Sequence, residues 1–244
     1  MTDLDLPTIS LPTYEVTIPS TGKTLNCRPF TVAEEKLLLM ASESKDSKMV
    51  IDTVRQVIKN CILEGEFDFE KSPFFDVDYL FIFLRAKSIG ETVEVQLTCN
   101  HIVEGAPCGH RMPVALDISK CSIVKDDTLS NDIKLDTKNG VKMKYPSYSL
   151  MKHIENKKGV DVKTETIVSS IYYIYDGKGN TFSSKDMTRE KMKAFIEGLT
   201  EEKYKKLENW IDNFPFFLLE VNKTCDKCGF EHKLRYSDFL DFFF

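Results

Sequence analysis

Most of what the 244-residue chain lacks removes a class of function. It has no apolar run approaching the roughly 20 residues that cross a bilayer. Its first residues, MTDLDLPTIS, are acidic and carry no basic stretch ahead of an apolar core, so no export signal is expected and a reducing cytoplasm is the expected setting. It lacks a basic excess: net charge is −5 and the pI is about 5.5, against what a nucleic-acid-binding surface needs. It also has no GxSxG, HExxH or GxGxxG string. Ser20-Thr21-Gly22-Lys23-Thr24 mimics a phosphate loop but misses that motif's first glycine, and it sits between two extended runs rather than ahead of a helix. No catalytic residue is identified, and the chain reads as a non-enzyme.

Cysteine is present in an odd number, seven, with no dense framework, so metal binding is a better expectation than disulfides for those that pair. Two segments stand out. One runs Cys99-Asn-His-Ile-Val-Glu-Gly-Ala-Pro-Cys108-Gly-His, the other Cys225-Asp-Lys-Cys228-Gly-Phe-Glu-His. Each follows an extended run (Thr92 to Thr98; Phe216 to Thr224), and each has Gly directly after its second cysteine. A turn of this kind presents two sulfurs side by side, and two such turns face to face make a tetrahedral thiolate site. Cys99, Cys108, Cys225 and Cys228 are therefore the candidate metal ligands, with Cys99 expected to meet Cys228. Zinc is the expected ion, and an iron–sulfur cluster is the alternative that four thiolates also support. The spacing from Cys99 to Cys108 is longer than CxxC. That leaves His101, His110 and His232 as neighbours able to replace one thiolate. Cys27, Cys61 and Cys121 sit singly in apolar patterns and read as core.

The remaining pattern is α+β. Tyr14, Val16 and Ile18 alternate with polar residues ahead of PSTGK, and Thr24 to Arg28 returns: a β-hairpin. Thr31 with Glu34 three residues on forms a capping box for a helix through LLLMA. Helices are expected over Lys48–Leu63 and Asp76–Ser88, the latter ending before Gly90. Arg111 to Ile118 reads as a strand. Asn139-Gly140 signals a hairpin between Ile133–Leu135 and Val141–Tyr145. Ser147–Ile154 reads as a helix; Val162–Tyr175 reads as a helix with Ile167, Ile171 and Ile174 on one face, a β-branched strand being the alternative. Thr188 and Thr200 cap two more, Arg189–Gly198 and Glu201–Asn213.

Pro19-Ser20-Thr21-Gly22-Lys23, Arg28-Pro29-Phe30, Glu34-Glu35-Lys36 and Arg85-Ala86-Lys87-Ser88-Ile89-Gly90-Glu91 occur in an order that resembles the T4-type bacteriophage base plate protein family. The resemblance covers roughly the first 110 residues and the C-terminal CxxCG, and nothing comparable marks 120–215. It implies a structural or assembly role at the baseplate hub of a contractile tail. The partners would be other hub proteins, the location the host cytoplasm during assembly and the tail baseplate of the virion. A zinc-ribbon nucleic-acid or transcription adaptor is the alternative.

Three segments are expected. Residues 1–120 form an α+β domain with the first cysteine turn, 121–214 a hairpin plus a mostly helical insertion, and 215–244 the second cysteine turn, packing back on 91–118. Arg28, Arg85 and Lys87 are expected to pair internally with Glu34, Glu35 or Glu91. The 17 phenylalanines include a terminal cluster, Phe239 and Phe242–Phe244. Chain ends usually lie at the surface, so Phe242–Phe244 is expected to dock on a partner or on another copy.

Overall fold

The computed structural model describes residues 9–44, 46–147, 150, 161–238 and 242. In chain order the first elements are β1 (Tyr14–Thr17), β2 (Thr24–Cys27), α1 (Val32–Glu43), α2 (Ser47–Cys61), β3 (Ile62–Glu64) and α3 (Phe74–Ser88). Next come β4 (Thr92–Thr98), β5 (Ile102–Val103), β6 (Ala106–Pro107), β7 (Arg111–Asp117) and β8 (Ser122–Val124). Then follow β9 (Asp132–Lys134), β10 (Gly140–Met143), α4 (Val162–Ser170), β11 (Ile171–Tyr175) and β12 (Thr181–Ser183). The last are α5 (Arg189–Glu197), α6 (Glu201–Asn213), β13 (Phe216–Thr224) and β14 (Glu231–Tyr236). The mixture is α+β. Two compact units account for it: Met1–Phe67, Asp78–Ser122 and Leu218–Phe244 make one, Asp68–Val77 and Ile123–Phe217 the other.

In the first unit β1, β2 and β3 form a three-stranded antiparallel sheet. The STGKT string is simply its first turn, closed by Ile18 N donating to Lys23 O at 2.8 Å. The capping box is complete: Thr31 Oγ1 accepts from Glu34 N, and Glu34 Oε2 accepts from Thr31 N at 2.8 Å. Glu34 is buried, and both its oxygens also accept from Arg28, each at 2.8 Å. The Arg28 guanidinium, more than the capping N–H, draws the Glu34 carboxyl down to about 2. Helix α2 stops at Cys61, two residues short of the expected end, because Ile62–Glu64 pairs with β2 instead. Its buried stripe is accordingly Val50, Val54, Val57, Ile58 and Cys61.

Helix α3 is apolar round its whole circumference from Tyr79 to Leu84, and none of its residues is exposed, the signature of a helix covered on every side. Val77, Leu80, Phe81, Ile82 and Leu84 are all buried. Arg85 is buried with them, and its Nε donates to the Phe242 carbonyl at 2.9 Å. The ion pairs Arg28–Glu34 and Lys87–Glu91 are internal, whereas Arg85 serves backbone carbonyls, those of Phe242 and Gly90.

Phe242 itself is fully buried, with the Tyr236 ring 5.6 Å away. The expectation that it forms part of a surface docking cluster is therefore corrected: a buried guanidinium needs an acceptor, and the chain end supplies one. Phe239, Phe243 and Phe244 lie outside the described residues. So do the first eight residues, and most of the helix expected at Ser147–Ile154, of which Ser147 and Leu150 are described.

The second unit carries a four-stranded antiparallel sheet in the order β12-β11-β10-β9. Val162–Tyr175, expected as one helix, divides at Ser170. Ile171–Tyr175 pairs with β10 on one side and β12 on the other. Helices α4, α5 and α6 accompany the sheet, and Val141, Ile167, Ile171, Leu207 and Trp210 belong to one buried cluster. The Trp210 indole N–H is satisfied by Asn131 Oδ1 at 3.0 Å. Thr188 caps α5 by accepting from Lys191 N, while Thr200 makes no side-chain capping bond to α6.

Candidate metal centre

Two antiparallel ribbons of the first unit build the site. β4 pairs with β7 from Thr92↔Asp117 to Thr98↔Arg111, and β13 pairs with β14 from Leu219↔Tyr236 to Thr224↔Glu231. Each ribbon ends in a cysteine turn, and the two turns match bond for bond. Cys99 N donates to His110 O at 2.8 Å, as Cys225 N does to Phe230 O. Gly109 N donates to Cys99 O at 3.0 Å, and Gly229 N to Cys225 O at 2.9 Å. Both glycines have positive φ, +63° and +72°, a conformation that other residues reach only with strain.

The unequal spacing has a simple origin. Between His101 and Cys108 the chain makes a short excursion, Ile102–Pro107, in which β5 and β6 pair through a Glu104-Gly105 turn. Its base is closed by Cys108 N donating to His101 O at 2.8 Å. Without the excursion the string reads Cys-Asn-His-Cys-Gly, the pattern of Cys225-Asp-Lys-Cys228-Gly. By spacing alone the first pair departs from CxxC. The Glu-Gly pair between two short apolar runs, with Gly again following the second cysteine, was the signal that marks an insertion.

The structure brings Cys99, Cys108, Cys225 and Cys228 together, with all four sulfurs within 4.8 Å of one another. Cys99 Sγ is 3.6 Å from Cys228 Sγ, and Cys108 Sγ is 3.9 Å from Cys225 Sγ. These distances exclude disulfides, whose sulfurs sit about 2.05 Å apart. They bracket the edge of a tetrahedron of four sulfurs around one ion at about 2.3 Å, which is about 3.8 Å. The residues present therefore fit a single thiolate-bound metal. Cys99 and Cys225 are buried and their partners half-buried.

Backbone N–H groups point at the sulfurs as thiolate sites require. His101 N serves Cys99, Cys228 N and Lys227 N serve Cys225, and Phe230 N serves Cys228. Burial works to raise the Cys225 thiol, but those N–H groups and the neighbouring thiols outweigh it and bring it down to about 7. Burial, only partly offset by His101 N–H, pushes Cys99 up to about 12. Thiolate charges this close oppose one another. A bound cation removes that opposition.

The histidines divide. His101 stacks on Phe230, with ring centroids 4.3 Å apart and planes at 11°, and its Nδ1 is buried with no hydrogen-bond partner among the described residues. His110 contributes its carbonyl to the turn. His232 is buried, with Nε2 3.2 Å from Cys99 Sγ. Among the described residues the converging ligand atoms are the four sulfurs, and no histidine joins them. The other cysteines stand apart from the cluster. Burial pushes Cys27 to about 11 and Cys61 and Cys121 to about 12, which leaves them as inert thiols.

A family model described as T4 bacteriophage base plate protein matches residues 11–244. The match therefore runs through 120–215, where the residues alone carry no resemblance. Among curated proteins the chain is similar to the baseplate hub assembly protein gp26 of Enterobacteria phage T4. The two are 25% identical over 234 residues, covering 94% of this chain and 97% of that protein. No solved structure matches.

Proposed function

Because the chain belongs to the T4 bacteriophage base plate protein family, we propose that it acts in building the baseplate hub of a contractile phage tail. It binds other hub subunits in the host cytoplasm and carries out no catalytic turnover. The observation that carries this reading is the end-to-end match to a relative named for hub assembly. The net charge of −5 supports protein partners over nucleic acid.

The same proposal gives the four cysteines a structural zinc ion, held by Cys99, Cys108, Cys225 and Cys228. Closed tetrahedral sites with four thiolates are structural, since no position is left for substrate. A cluster of several irons stands between its thiolates and spreads them further than a single ion does, so the 3.6 and 3.9 Å separations favour one metal atom. Structural zinc contributes apparent binding free energies of about 10–16 kcal/mol in small peptides. Here it ties the end of the chain to the ribbon that follows α3.

The test is co-expression of the tagged chain with the other baseplate proteins of its phage. Co-elution with hub subunits, and failure of the hub to form without the chain, are expected. Normal hub yield in its absence, with no co-elution, overturns the assembly reading. Elemental analysis of the purified chain should give one zinc and no iron.

A further inference from the structure

The two cysteine turns are equivalent through their strands as well, and this places two different side chains in corresponding positions. Four residues after Cys108 comes Met112; four residues after Cys228 comes His232. Each stands opposite the residue two before the first cysteine of its own ribbon, Leu97 and Lys223. Both are buried against the sulfurs: Met112 packs in one cluster with Cys99 and Cys225, and His232 Nε2 lies 3.2 Å from Cys99 Sγ. A thioether has no hydrogen to donate, whereas an imidazole has one. The site therefore has a side-chain donor at the Cys99 corner and an apolar cover at the corresponding place in the other turn.

The metal-bound site makes this difference matter. Four thiolates on a divalent ion leave an excess of negative charge that burial makes costly. A ligated sulfur carries no proton, so in the contact between Cys99 and His232 the ring N–H is the donor and the sulfur the acceptor. Such outer partners orient a ligand and disperse its charge.

We propose that His232 is a positioning residue for the bound metal: it donates Nε2–H to the ligated Cys99 sulfur and thereby slows release of the ion. The inference rests on the zinc reading above. It assigns His232 a role outside the ligand set rather than a place in it.

The test uses the full-length chain, zinc-loaded, as wild type, H232Q, H232L and the control M112L. Two readouts are taken: zinc release to a chromogenic chelator, and the absorption spectrum of the cobalt(II)-substituted protein. H232L should release zinc about 10–100-fold faster, the usual cost of losing an outer partner. H232Q, which keeps an N–H donor, and M112L should stay within a few-fold of wild type. All four cobalt spectra should report four thiolates, with the sulfur-to-metal charge-transfer band displaced in H232L. Wild-type release in H232L overturns the inference, and so does loss of a nitrogen ligand from the cobalt spectrum, which would make His232 a ligand. If H232L does not fold, H232Q decides, since release more than tenfold faster than wild type overturns the donor role and near-wild-type release supports it. A wild-type chain without metal overturns the zinc reading itself. A metal-bearing wild type with unaltered H232L overturns only this inference.

Discussion

Cys99 Sγ and Cys228 Sγ stand 3.6 Å apart although 129 residues separate them in the chain. Closing so long a loop is not prohibitive, because each doubling of loop length adds only about 0.6 kcal/mol of entropy. Both cysteines terminate well-paired ribbons, so the sulfurs are positioned by strands rather than by the metal alone.

Replacing one corner tests the clasp. Cys228→Ser should abolish stoichiometric zinc and lower the melting temperature of the chain. A strong chelator should lower the wild-type melting temperature to a similar value and leave the variant unchanged. Equal zinc content and equal melting in the two proteins would sink the structural-metal reading.

The excursion in the first turn should be dispensable for the metal. Deleting Ile102–Pro107 joins His101 directly to Cys108 and recreates the geometry of the second turn, whose Gly229 N–Cys225 O bond has its twin in Gly109 N–Cys99 O. Zinc content should remain at one per chain. Loss of metal on deletion would show that the two turns are not equivalent.

Acid should weaken the first unit through Glu34. Its carboxyl is depressed from 4.5 to about 2, chiefly by Arg28, so the folded state binds this proton less readily than the unfolded chain. The stabilisation is complete above about pH 4.5 and is lost as pH falls through about 2. Glu34→Gln should cost on the order of 2–3 kcal/mol at neutral pH. The gap between variant and wild type should narrow between pH 4.5 and 2 in denaturant titrations. A gap that is constant across this range would remove the ion pair from the account.

Phe242 should behave as core. Phe242→Ala is expected to cost about 3–5 kcal/mol, the range for a buried phenylalanine, and to leave the oligomeric state of the isolated chain unchanged. A stable variant with altered self-association would return Phe242 to the surface role.

Some of this architecture follows from patterns a few residues long. The capping box at Thr31 and Glu34 and the glycine after each second cysteine have local causes: a side chain reaching its own helix end, or a turn that needs positive φ. The hairpin ahead of Gly140 is local too, held by the Asp136 carboxylate, which accepts from Lys138 N and Asn139 N at 2.8 Å each. Helix α3 was legible too, since the apolar run Tyr79–Leu84 with Gly90 placed to end the helix has few other outcomes. Val162–Tyr175 was not. Its β-branched residues suit either state, and the choice at Ser170 is made by strands β10 and β12, which lie elsewhere in the chain.

By itself, then, the sequence determined which residue types were available for a metal and where each pair of cysteines turned, because both are matters of composition and short-range backbone geometry. It determined the family resemblance too, through short strings in a particular order. The meeting of Cys99 with Cys228, expected from the two matching turns, is what the structure shows; only the tertiary structure decided that Cys108 faces Cys225, that His232 reaches the Cys99 sulfur, and that Phe242 closes over Arg85. Each is an encounter between segments more than a hundred residues apart. Such encounters are set by the packing of whole elements, which no local pattern encodes.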